Sequence, residues 1–458
     1  MIRLSLRRVL NFRPVRWLHE RWQLTVVAGL ISSVMLFGLF IIFHFYVVPG
    51  MVQLLISQQS KLQIGSRIME RWLNPSYKMH FKVYVFSVTN SKEILKGAIP
   101  VLQKSGPFVF DKALKHELMP SPPGTATVSF RRKAQYFFNQ SASCPDCKLS
   151  NRVVVPNLVY QLASNERTRE TGKNLLAQSP FINVNVGELL FEGYEDPFIS
   201  NICNLPIVSI ICLDFMHVPE RIGLFFGMND SYTEGTYTIK DGTNKLSSRA
   251  EVLTYEGMQQ LRESWWLDKE ARTIRGIEGT LFHPFIQRNE TLWAFCAQLC
   301  RSIPLDYECD TSYRGVPVYR FRVSADEFDS TLPDNSLGVP IRAHRRIQLN
   351  AEFWAGKDIV APAYHKKIRS TIIPLAIVHD DAEIDDDSLH MIKWELIYAQ
   401  QAAYAGTYLI LLASIVMATV SLFYWFFMAH HQQRRKDFPE NYAAFTSPDL
   451  TLPDLAKY

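Results

Sequence analysis

The chain has no Gly-x-Ser-x-Gly elbow, no phosphate-binding loop and no dinucleotide fingerprint, so the signatures of α/β-hydrolase, nucleotide and nicotinamide chemistry are missing. It has no Gly/Ser-rich or Pro-rich linker and no internal repeat, which argues for one large body rather than a string of modules. Acid is nearly absent from the first 23 residues, where Glu20 stands alone against Arg3, Arg7, Arg8, Arg13, Arg16 and Arg21. Asp, Glu, Lys and Arg are absent altogether from Leu24 to Val48 and from Tyr404 to Met428. Cysteine is absent from both ends.

Each absence limits what the chain does. A protein of 458 residues with 20% charged residues is too polar for a polytopic transporter, so its middle reads as a water-soluble body. The net charge of +5 does not point to nucleic acid, because the basic excess sits beside the first apolar run, as the flank of a membrane span does. As a helix, Leu24 to Val48 would extend roughly 37 Å, against about 30 Å of hydrocarbon. It ends in Phe45, Tyr46 and Pro49, in the manner of an interfacial belt rather than a cleavage site, and reads as an uncleaved signal anchor. The second run carries Tyr424 and Trp425 towards His430, His431, Arg434, Arg435 and Lys436.

Positive charge flanks both outer ends. The expected layout is a cytosolic tail over 1–23, a transmembrane helix over 24–48, an extracellular or lumenal ectodomain over 49–401, a second transmembrane helix over 404–428 and a cytosolic tail over 429–458. Three glycosylation sequons, at Asn139, Asn229 and Asn289, fall in the middle region. So do all seven cysteines, Cys144, Cys147, Cys203, Cys212, Cys296, Cys300 and Cys309, where disulfides persist. Seven is odd, so at least one thiol is free or bridges to another chain, and the connectivity is open. Cys144-Pro-Asp-Cys147 has the spacing of a redox or zinc half-site but no companion pair, which favours a local structural bridge. No cofactor and no enzymatic activity are expected.

Within the ectodomain, Val52, Leu55, Ile56, Leu62, Ile68, Met69 and Trp72 recur at helical spacing, predicting one long amphipathic helix after the first span. From Phe81 the period changes to two: Phe81, Val83 and Val85 alternate with Lys82 and Tyr84, and Thr127 to Arg131 continues in the same style. Tyr319, Phe321 and Val323 alternate with Val318, Arg320 and Arg322, predicting one apolar and one charged face. Asn157 to Gln178 has helical composition. The acids Asp380, Asp381, Glu383, Asp385, Asp386 and Asp387 lack calcium-loop spacing and read as a solvated loop. The fold class is α+β.

The ordered motifs resemble the class B scavenger receptor family, which includes the fatty-acid translocase, the high-density lipoprotein receptor, a lysosomal integral membrane protein and the insect sensory neuron membrane proteins. The resemblance rests on Trp72-Leu-Asn-Pro75, Tyr84-Val-Phe-Ser-Val-Thr-Asn90, Gly97, Pro100 and Ser105-Gly-Pro-Phe108. It continues through Gly187-Glu-Leu-Leu190 and Gly193-Tyr-Glu-Asp-Pro-Phe198, with Phe191 and Glu192 where the family usually has tryptophan. Gly223-Leu-Phe-Phe-Gly-Met-Asn229, Gly235-Thr-Tyr237, Asp241-Gly242, Gly279-Thr280, His283-Pro-Phe285, Cys300-Arg-Ser302 and Gly315-Val-Pro-Val-Tyr-Arg-Phe321 follow in family order. Several tens of residues expected from the family are missing around Val339 to Arg342, which fits either a diverged member or a splice form, and the family disulfide framework does not carry over.

The resemblance implies an antiparallel β-barrel-like core around an apolar tunnel, with a helical tip that receives ligand. The tip corresponds to residues from about Val155 to Gln178, with Leu158, Leu162 and Leu175 as apolar members and Arg167, Arg169 and Lys173 placed for anionic head groups or lipoproteins. Partners implied are fatty acids, sterols or carotenoids and lipoprotein particles, with passage of lipid through the tunnel to the bilayer. A lipid moving this way avoids about 0.8 kcal/mol per exposed CH₂. Tyr442-Ala-Ala-Phe445 has the form gripped by endocytic adaptors. Plasma membrane residence is expected, with endosomal or lysosomal membrane and a sorting-receptor role for a soluble lumenal partner as the alternative.

Overall fold

The computed structural model describes residues 21–121, 124–158, 180–196, 199–200, 221–232, 234–324, 331–335, 340–353 and 369–437. The chain forms two compact units, residues 1–55 with 392–458, and residues 56–391.

The first unit is a pair of long helices. One runs Trp22–Ile42, continues through a π-helical turn at Phe43–Val47 and goes on as Val48–Gln59; the other is Ala399–Asp437. Both contain apolar stretches long enough to cross a membrane, and both expose large apolar side chains such as Val34 and Phe423. Their buried positions recur every seven residues: Val26, Ser33 and Phe40 on one helix, Thr407, Ser414, Ser421 and Met428 on the other. A strict seven-residue repeat keeps one seam facing a partner in a left-handed pair. Small and hydroxyl residues fill this seam. Ser33 Oγ donates to the Ser414 carbonyl at 3.1 Å and Ser414 Oγ returns the bond to the Ser33 carbonyl at 2.9 Å. A Cβ at Gly29 would stand 2.2 Å from Ser421 Oγ, so a larger residue there would push the Ser421 side chain aside.

The second unit is built on an eleven-stranded antiparallel sheet and a two-stranded one. In chain order the strands are β1 (Tyr77–Val88), β2 (Leu102–Met119), β3 (Thr127–Phe138), β4 (Arg152–Pro156), β5 (Phe181–Asn185), β6 (Thr236–Lys240) and β7 (Val252–Tyr255). After these come β8 (Leu292–Cys296), β9 (Arg301–Tyr313), β10 (Val316–Val323), β11 (Thr331–Asn335), β12 (Pro340–Phe353) and β13 (Thr371–Ile384). The large sheet has the order β7-β6-β3-β2-β1-β13-β12-β11-β10-β9-β8.

The large sheet curls until its two edges meet a shared segment. Val252 N on β7 donates to the Gly276 carbonyl at 2.7 Å, while Ile277 N donates to Trp293 O at 2.9 Å and the Ile277 carbonyl accepts from Phe295 N on β8 at 2.6 Å. Gly276 has φ +75°, and a Cβ there would sit 1.9 Å from Trp293 O, so the seam closes only over a glycine. The shared segment thus covers part of each edge of the large sheet, where unpaired amides would otherwise stand open. β4 and β5 form the separate ladder, and Asn157 N donates to Pro180 O at 2.8 Å. The ends of the segment predicted to form the tip are thereby held together; of that segment Leu158 is described, half-buried against the barrel core.

Several expectations are corrected. The long amphipathic helix is two: after Gln59 the chain turns, and a new helix, Arg67–Leu73, starts at Ser66, whose side chain caps Met69 N. The apolar positions nonetheless reach the core, with Leu62, Met69 and Trp72 buried. On β10 the apolar face changes sides midway, because Val316 and Val318 are buried at one end and Phe321 and Val323 at the other. The cause is a β-bulge between Arg320 and Phe321, opposite Glu308 of β9, which shifts the two-residue phase by one. The acidic run is not a loop. Asp380 to Glu383 lie on β13, between β1 and β12, and Asp386 opens the helix Asp386–Ile392.

Candidate functional site

The interior of the curled sheet has three layers, and the period of the strands shows how they arise. Along β3 the inward positions read Val128, Phe130, Arg132, Tyr136 and Phe138. The first two belong to one apolar cluster and the last two pack on another. β2 gives Phe108 and Phe110, then Lys112; β13 gives Ala376 and Val378, then Asp380. Each strand therefore interrupts its apolar inward face with charge, at a level offset from strand to strand by the register, which sets Lys112 opposite Tyr136 and Arg132 opposite His116.

On one side of these charges Trp72, Phe130, Tyr237, Tyr255, Phe295 and Phe321 are packed together. On the other, Phe81, Phe110, Tyr136, Phe191 and Phe225 form a cage in which Phe191 stands 4.9 Å from Phe110, 4.9 Å from Tyr136 and 5.4 Å from Phe225. Phe191 fills the centre of this cage.

These charges form a connected belt. Lys112 Nζ and an Arg345 terminal nitrogen both donate to Asp380 Oδ2, at 2.8 and 2.7 Å. Arg345 also donates to Gln298 Oε1 at 3.3 Å, and Gln298 Nε2 donates to Glu234. Glu234 accepts from Arg132, which reaches Glu278 Oε2 at 3.0 Å. Glu278 in turn accepts from Trp72 Nε1 and Thr280. Three cations face three carboxylates, so the layer is neutral as a whole and its charges are compensated.

Burial alone would raise the Asp380 pKa, but Lys112 and then Arg345 override it and hold the carboxyl at about 2. Glu234 is likewise held below its ordinary value, mainly by Arg132 against the effect of burial. The belt is not sealed. Glu278 has no accessible side-chain surface, whereas Arg345 keeps 33% of its own.

At the edge of the belt, His116 stacks on Trp72 with ring centroids 4.4 Å apart, and its Nδ1 donates to the Trp72 carbonyl at 2.6 Å. Its Nε2 is buried and has no hydrogen-bond partner among the described residues. Burial pushes the imidazole pKa down to about 4, so it is neutral at pH 7.

Among the sequence-predicted residues, Cys144 and Cys147 are bridged, with Cα atoms 5.0 Å apart. Among the described residues, Cys296, Cys300 and Cys309 form no bridge. Cys296 and Cys300 flank a short 3₁₀ turn, where their thiols donate to Gln298 Oε1 and to the Ala297 carbonyl. Asn229 and Asn289 are exposed, while Asn139 is half-buried and its amide donates to Asp111 at 2.8 Å. Leu162, Arg167, Arg169, Lys173, Leu175, Cys203, Cys212, Tyr442 and Phe445 lie outside the described residues. No cluster of three or more metal-ligating side chains occurs among the described residues. Sequence reading missed the belt, although a charge in the apolar phase of a strand, as at Lys112, Arg132 and Asp380, is its signal.

The CD36 family model matches this chain over residues 30–336 and 333–425. The chain belongs to the CD36 family. Its curated relatives include rat lysosome membrane protein 2, 28% identical over 62% of this chain and 58% of that protein. Rat scavenger receptor class B member 1 is 28% identical over 64% of this chain and 58% of its own length. Sensory neuron membrane protein 1 of Heliothis virescens is 24% identical over 66% and 60%. The matched region thus spans about three fifths of each relative's length. The family match falls into two segments that meet at 333–336, a few residues before Val339. The sheet is continuous there all the same: β11 pairs with β10 through Tyr319 and Asn335, and with β12 through Asp334 and Arg342. The chain carries two candidate terminal spans, and these relatives are named as membrane proteins and as a scavenger receptor.

Proposed function

We propose that this protein is a receptor that takes up lipid or lipoprotein outside the cytosol, carries lipid through its barrel and delivers it to the bilayer. The observation that carries the reading is the curled sheet itself, closed over Gly276 and lined by two apolar clusters. In this reading both ends of the chain are cytosolic, the barrel is extracellular or lumenal, and residues 155–178 form the receiving tip. The segment leaves and re-enters through the β4–β5 ladder, which suits a projecting cap. Cells expressing the protein should take up labelled lipoprotein lipid above vector controls, and replacing residues 159–179 by a short linker should remove that gain. Uptake equal to control in cells with confirmed surface expression contradicts the proposal. Residence in lysosomal membranes is supported by the likeness to lysosome membrane protein 2. Loss of endosomal localisation on Tyr442→Ala would favour it.

A further inference from the structure

A cleft of about 530 Å³, within the size range of small-ligand sites, lies between the 3₁₀ turn Leu246–Ser248 and the loop 283–290. Buried Arg249 donates to the Phe282 carbonyl and so ties the turn to the loop. Leu246 and Phe285 give the cleft an apolar wall. Phe285 is 44% exposed and has φ +62°, a left-handed backbone that strains a bulky residue. Such strain collects where a side chain has to be presented to a ligand. Asn289, which opens the sequon Asn289-Glu-Thr291, lines the same cleft. Both its neighbours are fixed. Arg288 donates twice to Asp310, at 3.0 and 2.7 Å, and lies 4.9 Å over the Tyr319 ring. Glu290 lies 2.8 Å from His283 Nε2 and accepts from Gln287 N at 3.3 Å. Asn229 Oδ1 accepts from Tyr136 N at 2.9 Å and Asn139 Nδ2 donates to Asp111 at 2.8 Å, whereas the Asn289 amide makes no hydrogen bond among the described residues.

We propose that this cleft seats the first N-acetylglucosamine of a glycan carried by Asn289, with Phe285 as its stacking platform. A pyranose offers a face of C–H groups that packs on the negative face of an aromatic ring, and its acetyl methyl is apolar. Phe285 and Leu246 meet those parts, while Ser247, Gln287 and Glu290 face the hydroxyls and the amide. Attachment at Asn289 makes the contact intramolecular, so weak interactions suffice to hold the sugar. The seat rests on the reading that places the barrel outside the cytosol, and its test separates the two.

The full-length protein from a secretory-pathway host, folded in detergent, is treated with a peptide N-glycosidase, and release at Asn289 and Asn229 is followed by mass spectrometry. Asn289 should lose its glycan about tenfold more slowly than Asn229, and at the same rate once the chain is denatured. Phe285→Gly removes the ring and suits the positive φ, and it should bring release at Asn289 to the Asn229 rate. Equal release from the folded wild type overturns the seat, as does slow release that persists in Phe285→Gly. A second measurement is the melting temperature. Phe285→Gly should lower it when the glycan is present, and leave it unchanged or raise it in an Asn289→Gln background, where only the strain is lost. A lowering of equal size in both backgrounds overturns the seat. Asn289 bare beside a glycosylated Asn229 overturns the seat and leaves the placement of the barrel standing; no glycan at Asn139, Asn229 or Asn289 contradicts both.

Discussion

The membrane helix pair and the barrel both bury polar groups, and they satisfy them in different ways. Between the helices, Ser33 and Ser414 exchange hydroxyl-to-carbonyl hydrogen bonds, and His44 Nδ1 meets Thr407 Oγ1 at 3.0 Å. The Thr407 hydroxyl donates to Tyr404 O, so the imidazole is the donor in that contact. Inside the barrel, by contrast, full charges are paired in a continuous belt. In hydrocarbon a charge is costly, and small hydroxyls let helix backbones approach while supplying modest hydrogen bonds. In the protein interior the belt can hold charge because each ion finds its counter-ion on another strand or loop. The two regions should therefore respond very differently to the loss of one partner.

The largest effect is expected in the belt. Asp380→Ala leaves Lys112 and Arg345 without their shared acceptor, and breaking such a buried pair costs about 3–5 kcal/mol. The variant should melt well below wild type in differential scanning calorimetry and reach the cell surface poorly; a melting temperature within about 2 °C of wild type would show that the belt is not a stabilising unit. The seam of the helix pair should be less sensitive. Gly29→Leu, which drives a side chain into Ser421, should cost about 1–3 kcal/mol and weaken cysteine cross-linking between positions 33 and 414, introduced as a pair. Unchanged cross-linking would argue against close packing at Gly29.

Acidification sharpens the comparison. His116 has a folded-state pKa near 4 against 6.5 for the free group, so the unfolded chain takes up the proton first and stability is lost as pH falls from about 6.5 towards 4. Between pH 7 and pH 5 this amounts to about 2 kcal/mol. Asp380, with its pKa depressed from 3.8 to about 2, contributes stability that is lost as pH falls from about 3.8 through about 2, so its pairing is unchanged between pH 7 and pH 5. Denaturant unfolding at the two pH values should show a destabilisation that His116→Phe largely removes and that Asp380→Asn does not. The smallest effect is expected for Ser33→Ala, about 0.6 kcal/mol, the typical size of a hydrogen bond between membrane helices. A loss as large as that of Asp380→Ala would erase the contrast between the two regions.

The sequence made the framework legible where one residue pattern was enough. Phe81, Val83 and Val85 alternate and lie buried on β1 as their period requires. The two charge-free runs fall within the two long helices. The belt was hidden because its members come from separate segments, and the acidic run was misread because its residues divide between faces. Asp380 points inward, while Asp381 pairs with Lys82 and His344, each at under 3 Å. A register slip such as that at Arg320 is set by the partner strand, so one strand's sequence does not reveal it. The bends in the chain between Gln59 and Arg67 likewise follow from Leu62 being drawn into the core, a tertiary demand that helical periodicity does not record.

The placement of the barrel on the non-cytosolic side is tested most directly by its sugars. In a secretory-pathway host, the full-length protein should shift on glycosidase digestion, with the exposed Asn229 and Asn289 each accounting for one step when replaced by Gln. A chain that carries no glycan at Asn139, Asn229 or Asn289, and whose barrel is cut by protease added to the cytosolic face of sealed vesicles, would contradict the account.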